Sequence, residues 1–261
     1  MLRSLMTAAS GMKAQQLQVD TIANNIANAG TTGFKKNRLS FQSTFYQTFR
    51  QPGAPIGQGQ LDATGLQVGS GTEISGSAMV MAQGGVEETG RPMDLAIQGS
   101  GFFEVQLPNG ESRFTRDGAF RRSSNGDIVT AEGYFLVPRV TLPNGVSEIQ
   151  VGNSGEVSYM DDTGTLQGGQ TILLARFANP MGLRAEGGNL MAETPSSGPA
   201  QRQTPGVSGT GTVTSGALER SNVETVDELV GLIVAQRNYE VNSRAIQVSD
   251  EMLQVVYQLI R

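Results

Sequence analysis

The residues that carry most protein chemistry are scarce in this sequence. Histidine and cysteine are both absent, so the commonest general base, the commonest metal ligand and the thiol nucleophile are missing. Adjacent carboxylates occur at Glu87-Glu88 and Asp161-Asp162. Neighbouring side chains on a strand point to opposite faces, and residues 161–164 have the composition of a turn. The sequence therefore predicts no catalytic pair of carboxylates.

Glycine-rich segments and lysines also lack the context of a ligand site. Gly-Ser-Gly at 99–101 and Gly-Thr-Gly at 209–211 resemble fragments of phosphate-binding loops. Neither continues to the third glycine or the Gly-Lys-Ser/Thr ending that such loops need, so we interpret both as turns. Lys35 and Lys36 follow a helix stop, where we expect two solvated charges. No aspartate cluster has calcium-loop spacing, and we predict no catalytic residue, no metal site and no cofactor.

Composition limits the partners as well. The chain has 261 residues, 38% of them apolar, which is enough for a large core in one or two domains. Charged residues make up 16%, and the net charge of −5 offers no basic surface for nucleic acid. The longest apolar stretch, Leu229–Ala235, is far shorter than the roughly 20 residues that span a bilayer. We predict no nucleic-acid binding, no direct membrane insertion and no cleaved signal peptide.

Glycine and proline divide the chain into helical ends and a β-rich middle. All ten prolines lie from Pro52 to Pro205, and only Gly11 and Gly231 fall within residues 1–29 and 221–261. Both ends are thus free to be helical. The middle has short β-branched and aromatic runs separated by turn dipeptides, which are Asn109-Gly110, Asp117-Gly118, Asn125-Gly126 and Asn144-Gly145. These dipeptides favour antiparallel hairpins in a sandwich or open barrel.

The predicted fold is therefore α+β, with long N- and C-terminal helices that pair as a coiled-coil-like layer and a central all-β domain. We place the discontinuous helical domain at 1–45 and 221–261, an extended connecting segment at 46–65 and the β-rich domain at 66–220. The connecting segment is rich in Gly, Pro and Gln and has few apolar anchors.

The N-terminal helix has the spacing of a coiled-coil seam. Its stripe advances by alternating steps of four and three residues through Met1, Leu5, Ala8, Met12, Gln15, Val19, Ile22, Ile26 and Ala29. Asn24 and Asn28 lie one turn apart beside this stripe, where amides specify register, and Gly30 stops the helix. An ordinary amphipathic helix packed on its own domain is the alternative.

The C-terminal helix is apolar on two opposite faces. One stripe repeats every seven residues through Leu232, Tyr239, Ile246, Leu253 and Ile260. The other follows steps of four and three through Val241, Ala245, Val248, Met252, Val255 and Leu259. One partner helix covers only one face, so the other requires a second layer. We predict a self-assembling polymer, the alternative being a helix buried against the chain's own sheet.

Several motifs resemble those of a known family. Residues 22–36 (IANNIANAGTTGFKK) resemble the N-terminal signature of bacterial flagellar rod and hook proteins. Ser221-Asn222-Val223, Glu228–Val230 and residues 236–243 (QRNYEVNS) are similar to that family's C-terminal signature. Asp94–Phe103 and Phe114–Gly118 resemble its β-domain, so the resemblance covers nearly the whole chain.

Within that family, residues 46–54 (YQTFRQPGA), the length and the single middle domain are similar to distal rod subunits. The residues that carry this rod-specific connecting segment are Tyr46, Gln47, Arg50, Gln51, Pro52 and Gly53. The predicted polymerisation interface comprises Leu5, Met12, Val19, Ile22, Asn24, Asn25, Ile26, Asn28, Leu232, Tyr239, Asn242, Ile246, Val248, Met252, Leu253, Val255 and Ile260.

The resemblance implies a structural subunit and not an enzyme. It implies export through the flagellar type III apparatus without cleavage, then addition to a hollow helical homopolymer of the basal body that crosses the periplasm. The implied neighbours are proximal rod proteins below, the hook protein above, and the P-ring and L-ring proteins as a surrounding bushing.

Three other interpretations stay open at this point. A proximal rod or short hook subunit has the same chemistry at another position in the axle. A secreted trimeric fibre requires one seam per helix and a closed oligomer. A β-sandwich enzyme that cleaves glycans requires two carboxylates converging in a cleft, which residue spacing does not reveal.

Overall fold

The computed structural model describes residues 2–53, 55–57, 60, 61, 63–143, 146, 148–160 and 165–259. Over these residues the chain forms two compact units. Unit 1 combines Met1–Ile26, Asn37–Ala78 and Thr225–Arg261, and unit 2 combines Ala27–Lys36 with Met79–Glu224. Each unit is therefore assembled from separate stretches of sequence.

Unit 1 is built on two long helices and a nested β-ribbon. Helix α1 spans Leu2–Ala27 and helix α2 spans Thr225–Leu259. Neither helix contains proline and each has one glycine, so their backbones are uninterrupted. The ribbon pairs β1 with β6, β2 with β5 and β3 with β4. Its strands are β1 Asn37–Ser43, β2 Tyr46–Arg50, β3 Pro55–Gly57, β4 Gln60–Leu61, β5 Leu66–Gly69 and β6 Thr72–Met79.

Unit 2 contains the main sheets. Its strands are β7 Val86–Glu88, β8 Leu95–Gln98, β9 Phe102–Gln106, β10 Ser112–Thr115, β11 Arg121–Arg122, β12 Ile128–Val129, β13 Phe135–Val137, β14 Glu148–Val151, β15 Glu156–Met160, β16 Leu166–Thr171, β17 Leu174–Arg176, β18 Arg184–Gly187, β19 Leu190–Ala192, β20 Gln201–Gln203, β21 Thr212–Ser215 and β22 Ala217–Glu219. A short 3-10 helix lies at Pro180–Gly182.

The largest sheet of the described residues has nine strands and runs β11-β12-β13-β9-β10-β19-β18, with β17 joining β9 to β20. Strand β9 is central because it pairs with β10 along one edge and with β13 and β17 along the other. A second sheet runs β14-β15-β16, and β7-β22 and β8-β21 form two-stranded sheets.

Two apolar clusters form the core of unit 2. The larger one surrounds Phe103, Leu136 and Ile172, and the smaller one surrounds Phe114 and Phe177. The rings of Phe114 and Phe177 meet edge to face at 4.7 Å between centroids, a geometry that aromatic quadrupoles favour. Burial of the apolar side chains of both clusters stabilises the unit.

The predicted α+β fold is confirmed, with helices at both ends and a central β-rich region of several sheets. Asn109-Gly110 and Asn125-Gly126 connect hairpins, as expected. Asp117-Gly118 does not, because Gly118 is packed against the backbone of Leu95. Asn144-Gly145 lies outside the described residues. The domain boundaries at 45, 65 and 220 stay a prediction.

Candidate assembly interface

The two long helices pair in an antiparallel arrangement within unit 1. The contacts advance along α1 as they retreat along α2, from Ser4 with Ser249 through Gly11 with Asn242 and Ile22 with Gly231 to Asn25 with Glu228. Each contact includes a glycine or a small or medium-sized polar side chain. Such residues let helix backbones approach closely, which fixes the register of the pair.

Asn25 forms several hydrogen bonds at this seam. Its amide nitrogen donates to the carbonyl of Asn37 at 2.9 Å and to a carboxylate oxygen of Glu228 at 3.2 Å. Its amide oxygen accepts the backbone N–H of Asn37 at 3.0 Å. The side chain is buried, so these bonds replace the water that it loses. Asn25 thereby ties α1 to both α2 and the first strand of the ribbon.

The face of α2 turned away from these contacts is apolar and open within the chain. Four residues of the second predicted stripe are between 47% and 64% exposed, namely Val241, Val248, Met252 and Val255. Near the end of the helix, a shallow groove of about 430 Å³ is lined by Val248, Glu251, Met252, Val255 and Val256. An apolar stripe of this length is typical of a surface that binds another protein.

The β-ribbon contacts the neighbouring face of α1. The guanidinium of Arg3 donates to Gln47 at 2.7 Å and to the carbonyl of Val68 at 2.9 Å, and it lies 5.6 Å from the ring centre of Phe49. Ser10 accepts the backbone N–H of Thr72 at 3.2 Å. Three strands and one helix are thus joined around the segment that begins at Tyr46.

The ribbon also carries exposed aromatic side chains. Phe41, Phe45, Tyr46 and Phe49 are all exposed, Phe45 to 92%. Rings of this size are usually at least partly buried in a folded chain. Together with the outer face of α2, they make unit 1 rich in uncovered apolar surface.

In unit 2, one buried cluster of charges joins distant parts of the sequence. This charged junction consists of Lys35, Arg116 and Glu219, each no more than 5% exposed. Lys35 Nζ lies 2.5 Å from Glu219 Oε1, and Arg116 Nη1 lies 3.1 Å from Glu219 Oε2. Burial lowers the pKa of Lys35 and that of Arg116, although Glu219 opposes both changes. The junction holds two cations against one carboxylate.

Glycines make room for the junction. Gly33 has a φ of +67°, and a Cβ there would lie 2.6 Å from the carbonyl carbon of Arg116. Its N–H donates to the carbonyl of Glu219 at 2.8 Å. Only glycine satisfies both the left-handed backbone and the close approach. The neighbouring Thr32 donates its hydroxyl to Asp117 at 2.9 Å.

Three other buried carboxylates of unit 2 are each paired with an arginine, namely Asp94 with Arg91, Glu104 with Arg202 and Asp127 with Arg139. All three are 2% exposed or less. A carboxylate held in this way does not act as a free general base. Within the described residues, no group of three or more His, Cys, Asp or Glu side chains is placed to hold a metal ion.

The chain is similar in sequence to known protein families. The chain matches three families, described as flagella basal body rod protein over residues 5–35, flagellar hook protein FlgE/F/G D1 domain over 96–159, and flagellar basal body rod FlgEFG protein C-terminal over 214–259. It is 45% identical to the flagellar basal-body rod protein FlgG of Borreliella burgdorferi, over the full length of both chains. The chain belongs to the FlgG family of flagellar basal-body rod proteins.

Other FlgG proteins are similarly close. The protein from Caulobacter vibrioides is 43% identical over 99% of both chains, and that from Bacillus subtilis is 39% identical over the whole of both. The predicted resemblance to flagellar rod and hook proteins is thus confirmed. Within the described residues, neither helix is apolar enough over a sufficient length to cross a membrane.

The predicted interface residues of α1 lie mainly on its covered side. Ile22 and Asn25 are buried, and Leu5, Met12, Val19, Ile26 and Asn28 are half-buried, whereas Asn24 is exposed. The amide of Asn25 is engaged within the chain, so its place in the family signature has an intramolecular reason. The contacts of these predicted interface residues with other subunits stay a prediction.

On α2, the two predicted stripes differ in exposure. Leu232, Asn242, Ile246 and Leu253 are half-buried on the side that faces α1, and Tyr239 is 43% exposed. Val248, Met252 and Val255 are exposed, and Ile260 lies outside the described residues. The residues of the connecting segment, Tyr46, Gln47, Arg50, Gln51, Pro52 and Gly53, are also exposed, and strand β2 pairs them with β5 as far as Arg50.

The expectation that Lys35 is a solvated charge is wrong. Lys35 is buried and paired with Glu219, a residue 184 positions away in the sequence. The sequence signal for this contact was the family signature itself, which includes Lys35 and, in a separate block, Arg116. Spacing alone does not bring the two blocks together.

Proposed function

We propose that the chain is a structural subunit of the flagellar distal rod and that it polymerises through α1 and α2. The observation that carries this proposal is the uncovered apolar stripe on α2, away from the residues that contact α1. Relatives across the full chain length are named basal-body rod proteins, which supports the same function. In this proposal the product is a hollow helical tube that serves as a drive shaft across the periplasm.

The energetic reason is the apolar surface. Burial of a valine or methionine side chain contributes about 1.5–3 kcal/mol when it is fully removed from water. The four stripe residues of α2 are already half covered, so each contributes less, but the gain repeats in every subunit. Binding of this stripe to a different patch on the next copy gives a heterologous contact, and such contacts produce open helical polymers when the rotation between copies does not close into a ring.

The proposed partners follow from the same role. The chain contacts further copies of itself, proximal rod proteins at one end of the tube and the hook protein at the other. The P-ring and L-ring proteins surround the tube as a bushing, and the flagellar type III apparatus exports the subunit. We propose no catalytic activity and no cofactor, because every buried carboxylate of the described residues is paired with a cation.

The test places one charge on each side of α2. Val248→Asp puts an unpaired charge into the proposed contact between subunits, and burial of that charge is strongly unfavourable. We expect Val248→Asp to abolish tubes in electron microscopy while the melting curve of the monomer is unchanged. Gln247→Asp adds the same residue at the adjacent exposed position and serves as the matched control, which we expect to assemble.

Ile246→Asp reports on the other face. Ile246 is half-buried on the side of α1, so this change is expected to weaken the helix pair in the monomer and also prevent assembly. Wild-type tubes from Val248→Asp would contradict the proposed role of the outer stripe. Discrete trimers of the unmodified chain would favour a closed fibre protein instead of a rod.

A further inference from the structure

The charged junction links the two places where the chain passes between its terminal helices and unit 2. The stretch after α1 includes Lys35, and the stretch before α2 includes Glu219. Within unit 2 these stretches lie side by side. The N–H of Asn222 donates to the carbonyl of Phe34 at 3.4 Å, and the amide oxygen of Asn222 accepts the N–H of Lys36 at 2.8 Å.

Glu219 makes more of the connecting bonds than any other member of the junction. Besides Lys35 and Arg116, its carboxylate accepts the N–H of Gly84 at 3.0 Å, and its backbone carbonyl accepts the N–H of Gly33 at 2.8 Å. Arg116 in turn donates to the carbonyl of Gly99 at 2.7 Å. The carboxylate therefore bonds directly to three stretches of chain, at Lys35, Gly84 and Arg116, and reaches a fourth, at Gly99, through Arg116.

We propose that Glu219 is a positioning residue for assembly, which fixes the points where the chain enters and leaves unit 2. The carboxylate neutralises two cations that are otherwise buried without a counter-ion. Its removal leaves Lys35 and Arg116 in a site from which water is excluded, so the entering and leaving stretches separate. The link to assembly rests on the proposed function, whereas the positioning of the two stretches does not.

The charge count of the junction makes the proposal specific. Glu219→Gln leaves two buried cations and no anion. Lys35→Met leaves Arg116 paired with Glu219, which is a balanced pair. The double variant Lys35→Met/Glu219→Gln leaves one cation, so it should be less disturbed than Glu219→Gln although it carries one more substitution. If the Glu219 carboxylate only filled space, the destabilising effects of the two single substitutions would add in the double variant.

The experiment measures native-state amide exchange in the full chain, at the N–H groups of Gly33, Lys36 and Asn222. We expect Glu219→Gln to accelerate exchange at these sites by about tenfold or more, since loss of the counter-charge lets the stretches that these N–H groups join separate. The double variant should restore most of the protection, and Lys35→Met should have the smallest effect. Glu87→Gln is the matched control, because Glu87 is a 64% exposed carboxylate on the strand that pairs with β22.

The outcomes separate this inference from the proposed function. Unchanged exchange in Glu219→Gln, or a double variant no better protected than Glu219→Gln, overturns the inference. If Glu219→Gln does not fold, a folded double variant supports the inference and an unfolded one overturns it. Failure of the unmodified chain to form tubes overturns the proposed function alone, because the exchange measurement does not require assembly. If the unmodified chain assembles, we expect Glu219→Gln to require a higher protein concentration for tubes.

Discussion

At the scale of single residues, the charges of unit 2 are used for structure. Glu104 is buried in the middle of the nine-stranded sheet, where Arg202 donates to both of its carboxylate oxygens, at 2.6 and 2.7 Å. Burial alone would raise the pKa of Glu104, but the hydrogen bonds and the charge of Arg202 outweigh it and hold the pKa below the usual 4.5. For Asp94, too, burial alone would raise the pKa, but the hydrogen bonds and the charge of Arg91 help to lower it below its usual value.

These lowered pKa values predict a loss of stability in acid. A carboxyl group whose pKa is lower in the folded state contributes its full stabilisation above its unfolded pKa and loses it as the pH falls through the folded value. We expect the melting temperature of unit 2 to fall once the pH drops below about 4.5, the ordinary value for Glu.

Glu104→Gln tests this dependence. The substitution should cost about 1–3 kcal/mol at pH 7, because it removes charged hydrogen bonds from a buried group. It should also make the decline of melting temperature between pH 5 and 3 shallower. Glu132→Gln, at an exposed position of the same unit, is expected to change neither quantity. An equally steep decline in Glu104→Gln would assign the acid sensitivity to other groups.

At the scale of elements, α1 is held on two adjacent faces. One face contacts α2 and the other contacts the β-ribbon through Arg3 and Ser10. The two helices lie close together at Gly11, where a Cβ would lie 2.9 Å from the amide nitrogen of Asn242. The outer face of α2 has no counterpart of the ribbon within the described residues, which is why it is the candidate for contact with another subunit.

Gly11 therefore offers a graded test of the helix pair. Gly11→Ala should be close to neutral, because the gain of about 1 kcal/mol in helix propensity offsets a small shift of the flexible Asn242 side chain. Gly11→Val adds branched bulk at the same point and should cost about 1–3 kcal/mol through overpacking. Amide exchange should accelerate in α1 and α2 together in the valine variant. Acceleration in α1 alone would contradict the close contact at this position.

At the scale of the whole molecule, unit 2 includes ten residues that begin with the last residue of α1. Ala27–Lys36 cluster with Met79–Glu224, because Gly33, Lys35 and Lys36 bond to the stretch around Glu219 and Asn222. The predicted β-domain, 66–220, leaves these ten residues out. Fragments of the chain can test whether residues 27–36 contribute to the folding of unit 2.

We expect a fragment of residues 27–224 to melt in one cooperative transition at the temperature of unit 2 in the full chain. A fragment of residues 66–220 keeps Arg116 and Glu219 but lacks Lys35, the rest of 27–36 and Asn222. It should melt lower, because the backbone bonds of Gly33 and Lys36 are lost. Equal melting temperatures of the two fragments would show that the segment after α1 contributes nothing to the stability of unit 2.

Much of this architecture was determined by the sequence. The exclusion of glycine and proline from the ends predicts both helices, since these two residues disfavour a helix whatever surrounds it. The period of the apolar residues in α2 predicts two faces, and the structure leaves one of them uncovered. Asn-Gly dipeptides at 109 and 125 predict hairpins because their backbone preferences are local.

Contacts between distant residues were decided only by the tertiary structure. Lys35 has the sequence context of a solvated charge, and its burial follows from the placement of Glu219 184 positions away. The segment at 46–53 has the composition of a loose connection, yet Arg3 and strand β5 hold it as a ribbon. Local propensity acts within a few residues, whereas desolvation and ion pairing depend on which distant segments the fold brings together. For that reason the chain's elements were predictable from its sequence and the charged junction was not.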